Sequence, residues 1–326
     1  MIHWERFVEL IGQHQRFVLT SHIRPDCDAL GSELGMAEIL RSLGKEVHIV
    51  NAQATPPHLR FLDPDQTALS LEDERAAGVI SAADVLMVLD TSAWVQLGEM
   101  ADVFRETTAQ RIVLDHHVSE DDLGAEVFKN SDAEATGRLV VEAADHLGVE
   151  LNAAMAIPLF AALATDTGWF RFPSSGPIAY ATAGRLVAAG APPSEIYRQL
   201  SEQDSLSRLQ LRAIALERIQ VEVDGRLAYT HLLSEDFQST GARASDTEDF
   251  VNMALTIQGT EAALIFMQLQ DELFKVSFRS RGKLDCSQLA SQFGGGGHRA
   301  AAGASMSGTF ADVQSRVLDA VRAGMR

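Results

Sequence analysis

"RFVLTSHIRPDCDALGSELGMAEILRSLGKEVHIVN", residues 16–51, decides the fold class. It opens and closes on compact apolar runs, "RFVLTS" (16–21) and "EVHIVN" (46–51). Between them apolar residues recur at helical intervals, and Gly44 stands near the helix end. A strand, a helix and a second strand without polar alternation predict parallel strands covered on both faces. "DVLMVLD" (84–90) and "RIVLD" (111–115) continue the series, and helices are expected over 135–148 and 152–168. The fold class is therefore α/β, with a mostly parallel sheet flanked by helices in the N-terminal domain.

The same stretch carries chemistry. His22, Asp26 and Asp28 fall within seven residues directly after the first strand, and open α/β sheets place their sites at the carboxyl ends of strands. Pro25 stiffens this turn, although Asp and Pro are also ordinary turn residues. Asp90 ends another strand, where a single Asp serves equally well as a helix N-cap. Asp115, His116 and His117 end a third, and Asp166 follows the apolar run before "TDTG". A charge directly after such burial needs a partner. Singly, each has an ordinary structural explanation. Together they place several carboxylates on one edge of a parallel sheet, where they repel unless cations lie between them. Mixed imidazole and carboxylate donors suit Mn²⁺, Mg²⁺ or another divalent ion, and the lack of thiolate ligands disfavours structural zinc. The set is large enough for two ions sharing a bridging carboxylate, the usual clamp for in-line phosphoryl displacement.

Bulk properties narrow the partners. The chain has 326 residues, with 45 acidic against 27 basic side chains and a net charge of −18. Such a surface repels long nucleic acid, whose binding rests on phosphate neutralisation. No apolar run approaches the roughly 20 residues of a membrane span, and the N-terminus lacks a leader pattern. Cys27 and Cys286 lie far apart and form no metal or disulfide spacing. A reduced, cytoplasmic setting without a membrane partner is expected.

The pattern changes from about residue 185. The domains are expected at 1–188 and 219–326, joined by a helical linker over 189–218 that starts near the Pro192-Pro193 hinge. The second domain reads as α+β, with strands at 225–232, 261–270 and 272–280 and helices near 246–256, 285–292 and 311–323. In "LFKVSFRSRGKL" (273–284), a strand puts Lys275, Ser277, Arg279, Arg281 and Lys283 on one face and Phe274, Val276 and Phe278 on the other. An edge strand guarded by cations accounts for this as well as an anion site does. The run Gly294–Gly297 before His298 lets backbone N–H groups approach an anion closely.

"HIRPDCDALGS", "VLDTS", "DHH" and "TDTG" in the first domain, then "FRS" and "FGGGGHRAAAG" in the second, occur in order. By these motifs the chain resembles the DHH–DHHA1 phosphoesterase family, specifically its bifunctional oligoribonuclease and 3′-phosphoadenosine-5′-phosphate (pAp) phosphatase type. The resemblance implies a DHH catalytic domain and a DHHA1 substrate domain with the site in the cleft between them. It implies two divalent metals, Mn²⁺ foremost, with Mg²⁺ or Co²⁺ as substitutes. By position, His22 and Asp26 would hold one ion; Asp28, His116 and Asp166 would hold the other; Asp90 would bridge. His117 would face the scissile phosphate, and Asp115 would orient a histidine. Arg279, Ser280, Gly295, Gly296, Gly297 and His298 would hold the far end of the substrate. The implied reaction is hydrolysis of short RNA oligonucleotides to 5′-mononucleotides, and of pAp to AMP, by a two-metal-activated hydroxide. A linear or cyclic dinucleotide phosphodiesterase is the alternative within enzymes. A catalytically silent nucleotide-binding protein would be expected to lack ligands. A homodimer would be unsurprising for the family. Cys27 stands where the family often has glycine, and a thiol between two ligands predicts sensitivity to oxidation or soft metals.

Overall fold

The computed structural model describes residues 2–325. The chain divides into two compact units, Met1–Gln203 and Asp204–Arg326. The first unit holds strands β1 (Arg16–Thr20), β2 (Glu46–Asn51), β3 (Ala68–Ser70), β4 (Val85–Leu89), β5 (Gln110–Asp115) and β6 (Glu126–Lys129). Its helices are α1 (Trp4–Gln13), α2 (Cys27–Ser42), α3 (Ala76–Ala82), α4 (Trp94–Leu97), α5 (Met100–Glu106), α6 (Thr136–Leu147), α7 (Ala153–Asp166), α8 (Pro177–Ala188) and α9 (Pro193–Ser201).

The strands pair in the order β3-β2-β1-β4-β5-β6, every pair parallel. Period 2 divides the strand side chains between two cores. Phe17, Leu19, Met87, Ile112 and Leu114 pack with residues of α1, α2, α6 and α7. Val18, Leu86, Val88 and Val113 pack with residues of α3, α4 and α5. The uninterrupted apolar run of β4 follows, since all five of its residues are buried. The chain runs outward from β1 to β2 and β3, then returns to β4 on the other side of β1. That reversal opens a crevice at the carboxyl ends of β1 and β4, where loops from both can face one ligand.

The second unit holds β7 (Gln220–Glu222), β8 (Leu227–Leu232), β9 (Ala262–Gln270), β10 (Leu273–Ser280), β11 (Gly296–Gly297) and β12 (Ala301–Ser307). Its helices are α10 (Leu206–Glu217), α11 (Ser234–Thr240), α12 (Phe250–Leu255), α13 (Cys286–Ser291) and α14 (Phe310–Gly324). The sheet order is β11-β12-β10-β9-β8-β7, antiparallel except for β8 with β9. Phe274, Val276 and Phe278 bury against residues of α13 and α14, while Ala263, Ile265 and Met267 bury against residues of α10 and α12.

Three expectations change. The linker over 189–218 does not stand apart: α9 enters the first core through Ile196, and α10 enters the second through Leu211 and Ala215. Each helix carries an apolar stripe that must be covered, so the boundary falls at 203/204. The helix expected over 246–256 is a short 3-10 turn and α12, separated at Asp249, whose φ is 65°. The cationic strand is no edge, because β10 lies between β9 and β12.

Among the described residues, no helix is long and apolar enough to cross a membrane.

The closest helix packing sits behind the crevice. A Cβ on Gly31 of α2 would lie 2.4 Å from the Pro158 carbonyl oxygen of α7, whereas one on Gly12 of α1 would meet nothing within 4 Å. Gly31→Ala should therefore lower stability by about 1–3 kcal/mol through overpacking. Gly12→Ala should raise it by about 0.5–1 kcal/mol through helix propensity. Urea denaturation of the two variants reads both signs.

Candidate active site

His22, Asp26 and Asp28 leave β1 and enter α2 across a turn pinned at several atoms. Asp26 caps α2, its Oδ1 accepting from the N–H groups of Asp28 and Ala29 at 3.0 Å each. Asp28 is fully buried in the first helical turn. Its Oδ2 accepts from Thr136 N–H at 2.8 Å and its Oδ1 from Gly137 N–H at 2.9 Å. Those donors belong to the first turn of α6, whose positive end favours a carboxylate.

Asp90 follows β4 at φ 65°. It does not cap α4, whose N-cap is Ala93 and has no side-chain bond, so the helix-cap explanation falls. Its Oδ1 accepts from the Thr136 hydroxyl at 2.9 Å. Asp90 Oδ2 lies 3.5 Å from His22 Nε2, and Asp90 Oδ1 lies 3.5 Å from His116 Nε2. One carboxylate thus faces both imidazoles, with one oxygen for each. His22 Nε2 is also 3.8 Å from Asp26 Oδ1. His116 Nε2 is 3.7 Å from Asp28 Oδ2 and 3.6 Å from Asp166 Oδ2, at the end of α7.

Two donor triads result, His22 with Asp26 and Asp90, and Asp28 with His116 and Asp166, each with its ligand atoms within 4.8 Å of one another. A third grouping, Asp90 with His116 and His117, meets the same measure.

The adjacent histidines differ in their bonds. His22 Nδ1 lies 3.0 Å from the Ile23 carbonyl and His116 Nδ1 lies 3.1 Å from the Ala133 carbonyl. With Nδ1 held by a backbone carbonyl, each Nε2 faces the carboxylates. His117 instead lies with Nδ1 2.9 Å from Asp115 Oδ1, which also accepts from the His117 backbone N–H at 3.1 Å. That hydrogen bond with Asp115 raises the His117 pKa against the opposing effect of burial. His117 joins His22, Ile23, Arg24, Asp26 and Gln96 around an open depression of about 430 Å³.

The electrostatics describe a site short of positive charge. Burial, then repulsion by Asp90 and Asp166, pushes the Asp28 carboxyl well up. Burial pushes Asp166 up to about 6, with Asp90 and Asp26 adding to the rise and His116 opposing it. Burial disfavours charge on His22, yet its contacts with Asp26 and Asp90 outweigh that and raise it to about 11. Oxygen and imidazole donors, repelling one another and orientated by backbone carbonyls, fit divalent cations of the Mn²⁺ or Mg²⁺ kind. Cys27 is buried and its thiol is pushed up to about 12, chiefly by burial. The oxidation sensitivity expected of it is not supported, because reactivity needs an accessible thiolate.

In the second unit, Lys275, Ser277 and Arg279 share the less buried face of β10. With Ser245, Thr247 and Asp249 they line a depression of about 310 Å³. Arg279 and Ser280 run alongside the turn that closes β11 and β12: Arg279 is in register with Ala301, and Ser280 N–H donates to the Ala300 carbonyl at 2.9 Å. His298 lies in that turn, its N–H donating to the Ala301 carbonyl at 2.7 Å. Of the glycine run, Gly296 and Gly297 form the short hairpin strand β11, while Gly294 lies in the turn before it at φ 72°. A Cβ on Gly295 would lie 2.2 Å from the Gly303 carbonyl oxygen, and one on Gly297 2.6 Å from that of Ala301. Close strand approach accounts for these two, while Gly296 is exposed and has nothing within 4 Å of its Cβ position.

Residues 16–164 match the DHH family, N-terminal domain, and residues 224–325 match the DHHA1 domain. A bifunctional oligoribonuclease and PAP phosphatase NrnA of Thermus thermophilus is 31% identical, over 98% of this chain and 94% of that protein. The chain belongs to the DHH/DHHA1 phosphoesterase family. A cyclic-di-AMP phosphodiesterase GdpP of Geobacillus thermodenitrificans is 27% identical over 96% of this chain, which spans 48% of that longer protein. The crystal structure of an exopolyphosphatase-related protein from Bacteroides fragilis superposes with a TM-score of 0.87 at 28% identity, covering 98% of this chain and 96% of that one.

The DHH domain also uses residues that no motif reading had singled out. Thr136 and the Gly137 N–H hold Asp28 and Asp90; their only local signal is a Thr-Gly pair at a helix start. Glu33 is fully buried behind the β1 turn. Its Oε2 accepts from Asn51 Nδ2 at 2.9 Å, and Asn51 Oδ1 in turn accepts from Ser21 N–H at 3.1 Å. Burial pushes the Glu33 carboxyl up to about 7, against the hydrogen bonds of Asn51 and Ser21. A carboxyl raised above its unfolded value contributes full stability below the unfolded pKa of about 4.3 and loses it as pH rises toward 7. In metal-free protein, Glu33→Gln should remove roughly 3 kcal/mol of the stability lost between pH 4.5 and 7, at about 1.36 kcal/mol per pH unit. Urea denaturation across pH 4.5–8 reads this as a difference from wild type, and parallel curves would refute it.

Proposed function

We propose that this protein hydrolyses short oligoribonucleotides to 5′-mononucleotides, and pAp to AMP, with two divalent metal ions in the DHH domain. The observation that carries the reading is Asp90, whose two oxygens each face one of two imidazole–carboxylate groups. The likeness to the Thermus oligoribonuclease and PAP phosphatase along nearly the whole chain supports the substrate class.

His22 and Asp26 are assigned to one ion, Asp28, His116 and Asp166 to the other, and Asp90 to both. Mn²⁺ is the preferred metal, with Mg²⁺ or Co²⁺ as substitutes. Bound metals would supply Lewis-acid charge at the phosphate and lower the pKa of an attacking water. The remaining work falls to the chain's own side chains. His117, with Nδ1 committed to Asp115, has Nε2 free to face the scissile phosphate and hold a proton for the leaving oxygen. Asp115 is the positioning residue for that ring. In the DHHA1 domain, Arg279, Ser280, Gly295, Gly296, Gly297 and His298 are assigned to the substrate's far phosphate or terminal nucleotide. Arg279 supplies the planar cation suited to a phosphate. The charge of −18 disfavours long nucleic acid as substrate. A second reading, hydrolysis of linear or cyclic dinucleotides, is favoured by the likeness to the cyclic-di-AMP phosphodiesterase.

A competition assay in Mn²⁺ with labelled RNA of two to twenty nucleotides, pAp, and linear and cyclic dinucleotides decides between the readings. The proposal expects turnover of pAp and of the shortest RNAs, falling steeply with length. Preference for a cyclic dinucleotide, or equal turnover of a twenty-nucleotide RNA, would overturn it. Asp90→Ala should lower turnover of every substrate by roughly a thousandfold or more, with circular dichroism unchanged. Substantial turnover in that variant would remove the bridging assignment. Arg279→Ala should raise KM for pAp about 10–100-fold, as expected for a lost hydrogen bond to a charged group, and leave kcat near wild type.

A further inference from the structure

We propose that Lys129 is a positioning residue for the reaction, holding the Asp115–His117 pair in place from the edge strand β6. The inference rests on the functional reading above and deepens it.

Lys129 is the last residue of β6 and stands in register with Asp115 on the neighbouring parallel strand. Adjacent residues of parallel strands in register point their side chains to the same face. The Lys129 ammonium lies 3.3 Å from Asp115 Oδ2 and donates to Ser92 Oγ at 2.6 Å and the Ser119 carbonyl at 2.7 Å. Ser92 Oγ also lies 2.7 Å from Asp115 Oδ2. Lys129 is 12% exposed and Asp115 wholly buried. The two oxygens of Asp115 are thereby divided. Oδ2 faces Lys129 and Ser92, while Oδ1 is left for the backbone N–H and ring Nδ1 of His117.

This arrangement solves a specific problem. Asp115 is a buried anion next to a cluster of further carboxylates, and a buried charge without a counter-charge is strongly disfavoured. Without Lys129, the carboxylate would be free to turn toward any cation in the cluster. With Lys129 and Ser92 on Oδ2, the carboxylate plane is fixed and Oδ1 accepts from His117 Nδ1–H. That bond sets the tautomer and leaves Nε2 for the substrate. Groups behind a reacting side chain typically contribute 10–100-fold to activity. Glu120, 53% exposed and 3.5 Å from the ammonium, lies on its solvent side and takes no part in this alignment.

Lys129→Met should lower kcat for pAp about 10–100-fold with KM and Mn²⁺ affinity close to wild type, and Lys129→Arg should restore most of the loss. Ser92→Ala should fall in the same direction by less, and Glu120→Gln should match wild type. A salt bridge serving only to tie down β6 would lower the melting temperature and leave kcat of the folded enzyme unchanged, which would overturn the proposal. A second readout needs neither metal nor turnover: the imidazole ¹H–¹⁵N spectrum of metal-free protein. The hydrogen-bonded Nδ1–H of His117 should be present in wild type and in Lys129→Arg, and lost or exchange-broadened in Lys129→Met. An unchanged His117 signal in Lys129→Met refutes the inference. If Lys129→Met does not fold, Ser92→Ala and Lys129→Arg are read by the same spectrum, and a wild-type His117 signal in Ser92→Ala refutes the shared positioning. Should wild type hydrolyse none of the substrates, the functional reading fails, while the spectrum still decides whether Lys129 holds the pair.

Discussion

Repulsion among buried carboxylates is the constraint on which the rest of the DHH domain depends. Asp28 and Asp90 are buried and Asp166 half-buried at one edge of the sheet, with Asp26 at its rim. The fold answers that repulsion in layers. The first turn of α6 presents the N–H groups of Thr136 and Gly137 to Asp28 and the Thr136 hydroxyl to Asp90. Backbone carbonyls turn His22 and His116 so that their Nε2 atoms face the acids. What these donors leave uncompensated is negative charge, which a divalent cation would offset. Burial and that repulsion together raise the carboxyls of Asp28 and Asp166.

The doubly wound topology makes the convergence possible. Because β1 lies between β2 and β4, the loops after β1 and β4 open side by side, and β5 adds His116 and His117 from the next position. The strands contribute position: His22, Asp26 and Asp28 lie two to eight residues past β1 and Asp90 one past β4, while Asp115 and Lys129 are the last residues of β5 and β6. Behind them, α2 runs against α7 at a distance that the absence of Cβ atoms on Gly31 and Gly35 allows. That packing brings Asp28 and Asp166, on different helices, to the same imidazole.

Much of this was legible in the chain itself. The βαβ pattern, the strand-end acids and histidines, and the alternation of β10 through Arg279 are local properties; Arg281 and Lys283, expected on the same face, fall in the bend after β10 ends at Ser280. The short strands were not legible. Ala68–Ser70, Glu126–Lys129 and Gly296–Gly297 have two to four residues each, too few for a period to show. The alanine- and serine-rich β12 has little intrinsic strand preference and forms because β10 and β11 flank it. The glycine run is ambiguous in sequence, since an anion-binding loop and a tightly packed hairpin call for the same residue. The linker over 189–218 misled because two amphipathic helices in a row look alike whether they share one core or join two.

The sequence by itself determined the longer helices and strands and which side chains stand at the edge of the sheet, because helical and strand periods and donor chemistry are written residue by residue. Tertiary structure alone decided how those side chains divide their atoms. That Asp90 turns one oxygen to His22 and the other to His116, and that Asp115 turns one to His117 and the other to Lys129, depends on register between distant strands. "DHH" therefore names three neighbours with three sets of partners, set by β4, β6 and the chain leading into α6.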